Sequence, residues 1–209
     1  MLIKSVAVGP LQANCFIIGD EKTKKTMVID PGDEPDRIMD IIKKNGLDVK
    51  YIICTHGHFD HVGAVSDIKK ETNADVLIHI DELQIYKSAL DMAAFWGYDI
   101  DPLPDPDRFV NDNDEIKMGG LFFKVMHTPG HSPGCICIYG EGVVITGDTI
   151  FAGSVGRTDF YGGDSLKLKQ SFRKLMKLPD DTKVLPGHGE TSTIGIEKKE
   201  NMFSKEFLS

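Results

Sequence analysis

The 209-residue sequence lacks an apolar run long enough to cross a membrane. The longest apolar stretches, around residues 76–80 and 143–145, fall well short of the roughly 20 residues that a membrane helix needs. The first residues alternate in polarity as a strand does, and they include no continuous apolar segment typical of a secretion signal. The sequence therefore predicts a cytoplasmic protein with no membrane partner.

Cysteine is also scarce, since the sequence has only four cysteines and no feature that indicates export to an oxidising compartment. Reduced thiols are therefore expected. Cys135 and Cys137 form a C-x-C pattern, which differs from the C-x2-C spacing of a zinc ribbon. We predict that both side chains pack in the core.

Positive charge is in deficit. The 24 lysines and arginines face 32 aspartates and glutamates, which gives a formal net charge of −8. The lysines are spread along predicted helix faces, as is typical of solvated surface. A protein that binds nucleic acid needs clustered lysine and arginine to displace counterions from phosphates. The sequence therefore predicts no nucleic-acid partner.

The composition that is present is that of a globular protein, with 41% hydrophobic and 27% charged residues. The length predicts one domain that covers residues 1–209. Apolar spacing predicts helices at residues 34–44, 62–71 and 165–177. Shorter apolar or β-branched runs predict strands at residues 3–8, 15–18, 27–29, 51–54, 76–79, 115–117, 121–126, 135–139, 143–146 and 183–185.

Both halves of the chain therefore contain strands followed by helices, which favours an α/β (α+β) fold of two packed sheets with helices outside. Residues 91–108 contain four prolines or glycines and the only tryptophan. This segment is predicted to be a long connection, either a lid or an irregular surface loop.

The strongest local signal is a cluster of metal-ligand side chains, which follows one predicted strand and precedes a predicted helix. The cluster comprises His56, His58, Asp60 and His61. Imidazole and carboxylate groups suit zinc, iron or manganese, and the end of a strand holds them on a rigid support. Asp60 alone could be an ordinary helix cap. Three histidines and an aspartate within six residues favour a metal site instead.

Three later segments place a polar residue after a strand and a glycine. They are Thr128-Pro129-Gly130-His131, Thr146-Gly147-Asp148-Thr149 and Leu185-Pro186-Gly187-His188. Glycine lets the backbone turn sharply where loops build a site. With the first cluster, these segments supply a further histidine for each of two ions and a carboxylate able to bridge them.

Taken in order, the H-x-H-x-D-H cluster, TPGHSPG, TGDTIF and PGHG resemble the metallo-β-lactamase superfamily across nearly the whole chain. The run GSVGRTDF at residues 153–160 is similar to the glyoxalase II (hydroxyacylglutathione hydrolase) branch, especially its short bacterial forms. The resemblance implies an αββα sandwich of two mixed sheets, with the site along one edge. It also implies two divalent metal ions, Zn²⁺ in the first place, with Fe or Mn as alternatives.

The resemblance further implies a ligand set in two groups joined by a bridging Asp148: His56, His58 and His131 for one ion, and Asp60, His61 and His188 for the other. Water between two such ions should lose its proton near neutral pH, because the site is locally positive. The expected reaction is attack of this metal-bound hydroxide on a thioester such as S-lactoylglutathione, with Asp60 orienting the hydroxide. The expected partner is therefore a small-molecule thioester.

Two alternatives remain open within this resemblance. One is a persulfide dioxygenase, which uses a single iron held by two histidines and an aspartate, and the other is a hydrolase of lactones or β-lactams. The thiol carrier also stays open. Longer glyoxalase II proteins carry a C-terminal helical extension with basic residues for glutathione, whereas about twenty residues follow His188 here.

Four other polar residues lie near the motifs. Arg157 falls where the resemblance places a basic residue near the thiol conjugate, and it is predicted either to bind a substrate carboxylate or to form a loop salt bridge. His79 and His127 end strands but match no ligand motif, so we predict structural roles or, at most, contacts that support the ligand residues. Asp30 is predicted to form a turn and is a candidate carboxylate partner for a ligand histidine.

Overall fold

The computed structural model describes residues 1–208, in which two six-stranded sheets pack face to face. The first sheet contains strands β1 (Leu2–Val8), β2 (Ala13–Gly19), β3 (Lys25–Ile29), β4 (Asp48–Ile53), β5 (Asp75–His79) and β6 (Arg108–Val110), in that order. The chain then forms β7 (Glu115–Met118), β8 (Leu121–His127), β9 (Ile136–Gly140), β10 (Val143–Gly147), the small hairpin β11 (Ile150–Phe151) and β12 (Ser154–Val155), and finally β13 (Lys183–Pro186) and β14 (Ser192–Thr193). The second sheet has the order β14-β13-β10-β9-β8-β7.

The helices are α1 (Pro35–Lys44), α2 (Phe59–Val62), α3 (Val65–Thr72), α4 (Leu83–Phe95), α5 (Ser165–Leu175), α6 (Ile194–Glu200) and α7 (Ser204–Leu208), and a 3-10 turn spans Ile80–Glu82. Both sheets are mixed. β3 to β6 pair in parallel and β1 to β3 antiparallel, whereas in the second sheet only β10 and β13 pair in parallel. None of these helices in residues 1–208 combines the length and apolarity that a membrane span requires.

The alternation of side chains along β2 shows how the layers form. Phe16 and Ile18 point into the core between the two sheets, whereas Cys15 and Ile17 pack against the first helical layer. Successive strand residues face opposite sides of a sheet, so a strand covered on both faces is apolar throughout. A third buried cluster lies between the second sheet and α5, including Phe172. The predicted αββα sandwich is therefore confirmed.

All the predicted strands and helices are present, with ends shifted by a few residues. The prediction for residues 91–108 was wrong at both ends, because α4 continues to Phe95 and β6 begins at Arg108. The buried face of α4 uses the small residues Ala89 and Ala93, which give a weak apolar pattern. Strand β6 and the C-terminal helices α6 and α7 were also not predicted.

The irregular segment is therefore residues 96–107, and hydrogen bonds fasten it to the helical layer. The hydroxyl of Ser66 donates to the backbone oxygen of Pro102 at 2.5 Å, and the hydroxyl of Tyr86 donates to that of Pro104 at 2.9 Å. Lys70 and Asp101 form a salt bridge of 2.8 Å. These contacts attach the segment to helices α3 and α4.

Candidate metal centre

The structure brings all seven predicted ligand residues to one edge of the sandwich. Four of them lie in the loop after β4 and in α2, one in the loop between β8 and β9, and one after each of β10 and β13. Because β10 and β13 are parallel neighbours, their carboxyl ends meet at the same edge. A hydrogen bond from the backbone nitrogen of Ile136 to the backbone oxygen of Thr55 joins the two sheets there.

Two glycines of the motifs are required by the close approach of other groups. Gly147 has a φ of 46°, and an added Cβ would lie 2.2 Å from the hydroxyl of Thr55. At Gly187 an added Cβ would lie 2.2 Å from Oδ1 of Asp148. A side chain at either position would push apart the strand ends that carry the ligands.

The seven residues form two groups with one residue between them. In each group the candidate ligand atoms lie within 4.8 Å of one another; the groups are His56, His58 and His131, and Asp60, His61 and His188. Asp148 reaches both groups. Its Oδ2 lies 3.6 Å from Nε2 of His131, and its Oδ1 lies 3.5 Å from Nε2 of His61. Asp148 therefore lies between the two groups.

Hydrogen bonds on the outer side of the rings set which nitrogen faces the centre. The hydroxyl of Thr55 donates to Asp30 at 2.6 Å and accepts from Nδ1 of His56 at 3.1 Å. His131 donates through Nδ1 to the backbone oxygen of Arg157, and His188 does so to that of Leu11. In a neutral imidazole whose Nδ1 is the donor, Nε2 carries a free lone pair. These rings therefore present lone pairs to the centre.

Asp30 orients the ring of His61 in the same way, because Nδ1 of His61 donates to Oδ2 of Asp30 at 3.1 Å. Asp30 also accepts from the backbone nitrogen of Thr55 at 2.7 Å. Its backbone φ is 52°, a left-handed conformation that aspartate tolerates in turns. Asp30 therefore contacts a candidate ligand histidine, as predicted, whereas residues 30–32 form no hydrogen-bonded turn and the turn prediction was wrong.

The inward-facing atoms have no partners outside the cluster in the described chain, and two of them have no partner at all. Nε2 of His56 and Oδ1 of Asp148 are buried without a hydrogen bond. Nε2 of His131 lies 2.9 Å from Nδ1 of His58, and the Nε2 atoms of His61 and His188 are 3.2 Å apart. Buried polar atoms are nearly always satisfied, so the two atoms without a partner indicate a group that the chain itself does not supply. Divalent cations between these atoms would satisfy them, so the donor set fits a pair of metal ions.

The electrostatics of the metal-free chain agree with this fit. Burial, reinforced by the other histidines, lowers the pKa of His56 well below its usual value. Burial likewise lowers the pKa of His58, to about 4. For His61 burial acts in the same direction, but Asp60 and Asp148 outweigh it and raise the pKa to about 10. His56 and His58 are thus neutral imidazoles, and the carboxylates around His61 favour positive charge at that position.

Glu82 is a supporting residue that the sequence did not reveal. This fully buried carboxylate accepts hydrogen bonds from the backbone nitrogens of Gly57 at 3.0 Å and Gly134 at 2.7 Å, and from the hydroxyl of Ser132 at 2.8 Å. Gly57 lies between two ligands of the first loop, and Ser132 follows His131. Glu82 therefore ties together two ligand-bearing loops, although burial raises its pKa.

We expect Glu82→Ala to lower the free energy of unfolding by about 3–5 kcal/mol, because three buried donors lose their acceptor. Glu82→Gln keeps the side-chain volume and one acceptor oxygen, so its loss should be smaller. Urea unfolding of the chelated proteins measures the effect without a contribution from metal. The neighbouring Asp81→Asn, at an exposed side chain, should stay within about 0.5 kcal/mol of the parent. A Glu82→Ala loss below about 1 kcal/mol would contradict this role.

His79 and His127 lie outside the seven-residue cluster, and their contacts support the predicted structural roles. Their rings stack at 4.0 Å with an angle of 10° between planes. Nδ1 of His79 accepts from the backbone nitrogen of Asp81, and His127 donates through Nε2 to the backbone oxygen of Pro133. Cys135 and Cys137 are both buried, as predicted.

A cavity of about 570 Å³ opens beside the cluster, and Asp60, Asp148 and Arg157 are among the residues that line it. Arg157 therefore lies where a substrate contact was predicted. Its guanidinium, however, forms two hydrogen bonds of 2.6 Å with the carboxylate of Asp159. The same group lies 3.9 Å from the ring centre of Phe160.

Comparisons with known proteins agree with this geometry. The chain is 38% identical to hydroxyacylglutathione hydrolase GloC of Haemophilus influenzae, over 97% of this chain and 98% of that protein. It is 34% identical to the probable metallo-hydrolase YqgX of Bacillus subtilis, over 98% of each.

Solved structures are similarly close. BLEG-1, described as a B3 metallo-beta-lactamase, superimposes with a TM-score of 0.91 at 34% identity, over 97% of this chain and 99% of that one. TTHA1623 in a di-iron-bound form gives 0.88 at 38% identity, over 96% and 99%. ETHE1 from Myxococcus xanthus gives 0.83 at 27% identity, over 100% and 88%. The sequence profile of the Metallo-beta-lactamase superfamily matches residues 8–188, and the chain therefore belongs to this superfamily of metal-dependent hydrolases.

Proposed function

We propose that this chain is a binuclear metal-dependent thioesterase of the glyoxalase II type. The observation that carries the proposal is the convergence of the candidate ligand atoms. Nε2 of His56 and Oδ1 of Asp148 are buried there without a partner, and the facing imidazole nitrogens approach within 2.9 and 3.2 Å of each other. His56, His58 and His131 would hold one cation and Asp60, His61 and His188 the other, with Asp148 shared. Such ions supply a nucleophile from water at neutral pH and stabilise negative charge on a carbonyl oxygen.

The protein's own residues hold the reactants. Asp60 and Asp148 line the cavity at the cluster. Burial by itself raises the pKa of Asp60, but His61 and His188 outweigh it and keep the carboxyl ionised. Asp60 can therefore accept a hydrogen bond from the attacking water and orient it towards a bound carbonyl. The water oxygen adds to the carbonyl carbon, the C–S bond breaks, and the products are a carboxylic acid and a thiol.

A covalent route through cysteine is not available. All four thiols are buried, and burial raises the pKa of Cys15, Cys54 and Cys135 well above its usual value. Burial also raises the pKa of Cys137, to about 11. A buried, protonated thiol is a poor nucleophile. Direct attack by water is therefore the route that this site supports.

We propose Zn²⁺ as the cation, with Fe or Mn as alternatives, because imidazole and carboxylate ligands suit all three. The di-iron form of TTHA1623 makes iron the first alternative. Elemental analysis of the purified protein identifies the metal, and two metal ions per chain are expected. One ion per chain at saturating metal would contradict the binuclear assignment.

The metal-loaded protein is expected to release thiol from S-lactoylglutathione without consuming oxygen, and the chelated protein should be inactive. Two other outcomes would contradict the proposal. Oxygen uptake on glutathione persulfide with one iron per chain would instead indicate a dioxygenase. Preferred turnover of a lactam or lactone would indicate the hydrolysis suggested by BLEG-1. Parallel assays on one preparation separate the three.

A further inference from the structure

The walls of the cavity beside the metal cluster are mostly apolar and come from several parts of the chain. Leu11 lies in the turn between β1 and β2, Met92 and Trp96 lie at the end of α4, and Phe151 lies in β11. Two of these side chains remain open to solvent, with 46% of Leu11 and 55% of Trp96 exposed. Exposed apolar surface that converges on a cavity is typical of a ligand site.

The side chains that line the cavity around the metal cluster offer very little free positive charge. Outside the seven-residue cluster, Arg157 is the only charged residue among the described lining residues. Asp159 neutralises it through two hydrogen bonds of 2.6 Å, and the Phe160 ring covers its face. This bidentate pair occupies the Nε–Nη2 edge of the guanidinium and balances its charge.

This charge pattern is a poor match for glutathione, a tripeptide thiol with two carboxylates. Each carboxylate would lose water on entering the cavity and would find no unpaired lysine or arginine among the described lining residues. An uncharged group faces no such penalty and gains from contact with the side chains of Met92, Trp96 and Phe151.

We propose that this cavity selects an uncharged thioester whose thiol portion is apolar and of the size of an aromatic ring, in preference to a glutathione conjugate. This inference rests on the proposed thioesterase function and names its substrate class. Transfer of one methylene group from water to an apolar wall changes binding about fourfold. A series of n-alkyl thiol esters should therefore gain about fourfold in kcat/KM per methylene until the cavity is filled.

The direct test compares two thioesters that share one acyl group, S-lactoyl benzyl mercaptan and S-lactoylglutathione, on the metal-loaded protein. We expect kcat/KM to be at least about tenfold higher for the benzyl compound, which corresponds to one hydrophobic contact of ordinary size. Equal turnover, or a preference for the glutathione compound, would overturn the inference but leave the thioesterase function intact.

Binding can be followed separately from catalysis, because Trp96 is the only tryptophan in the chain. Its fluorescence reports directly on occupancy of the cavity. Two thioethers that cannot be hydrolysed, S-acetonyl benzyl mercaptan and S-acetonylglutathione, serve as probes. Tighter binding of the benzyl thioether supports the cavity assignment even if neither thioester is hydrolysed, a result that would remove only the proposed reaction. Equal or tighter binding of the glutathione thioether would overturn the assignment.

Two substitutions and one control show which side chains set the substrate preference. Trp96→Ala should lower kcat/KM for the benzyl thioester about tenfold, whereas Phe122→Ala, at an exposed aromatic side chain on β8 away from the cavity, should leave it unchanged. Asp159→Asn frees Arg157 and should raise kcat/KM for S-lactoylglutathione several-fold, with no gain for the benzyl thioester. A gain for both substrates, or for neither, would show that charge in the cavity does not set the selectivity.

Discussion

Asp148→Ala is expected to remove bound metal and to lower kcat/KM at least about a thousandfold, which corresponds to roughly 4 kcal/mol of transition-state stabilisation. Asp148 is the residue that reaches both groups of ligands, with oxygens 3.5 Å from Nε2 of His61 and 3.6 Å from Nε2 of His131. Without it, two cations would lie close together with no shared anion between them. Elemental analysis and thioester turnover, measured on the same preparation, check the result.

The matched control is Asp81→Asn. Asp81 belongs to the other histidine group of the described chain, with His79 and His127. If the proposed assignment holds, this substitution leaves metal content and turnover at the level of the parent. An Asp148→Ala protein that kept both ions and its full activity would contradict a bridging role. Circular dichroism shows whether each variant keeps the native fold.

Removal of metal should also lower the thermal midpoint by roughly 15–30 °C. A ligand present at a thousandfold excess over its Kd stabilises the folded state by about 4 kcal/mol per site. In a protein of this size, 1 kcal/mol shifts Tm by about 2–4 °C. The physical source is the centre of the cluster, where Nε2 of His56 and Oδ1 of Asp148 are buried without partners. Calorimetry with and without a chelator measures the shift.

Two variants show whether the shift arises at this centre. His127→Asn should keep the full metal-dependent shift, because His127 bonds to the backbone of Pro133 and lies outside the cluster. The double substitution His56→Ala and Asp148→Ala should abolish it. A Tm that changes by less than about 3 °C on chelation of the parent protein would remove metal binding as a source of stability.

Much of the site could be predicted because its residues are adjacent in sequence or are marked by glycine. His56, His58, Asp60 and His61 fall within six residues, and the glycines before His131, Asp148 and His188 mark turns at strand ends. The strands were predicted for a related reason, since the alternation seen in β2 is local and depends on the two faces of one sheet.

The supporting residues left no comparable signal. Glu82 lies at the start of a helix, where an acidic residue is ordinary, and only its contacts with Gly57, Ser132 and Gly134 show its role. Helix α4 was missed because its buried face relies on small residues. Such roles depend on neighbours that are distant along the chain.

The sequence by itself determined the order of the ten predicted strands and three predicted helices, the seven candidate ligands and the position of a basic residue near them, because each is set by local spacing and residue type. Only the tertiary structure decided that residues 96–107 are hydrogen-bonded to the helical layer, that Arg157 is paired with Asp159, and that the cavity beside the cluster is mostly apolar. The physical reason is that charge pairing and cavity lining result from side chains converging from separate loops. Spacing along one chain does not specify that convergence.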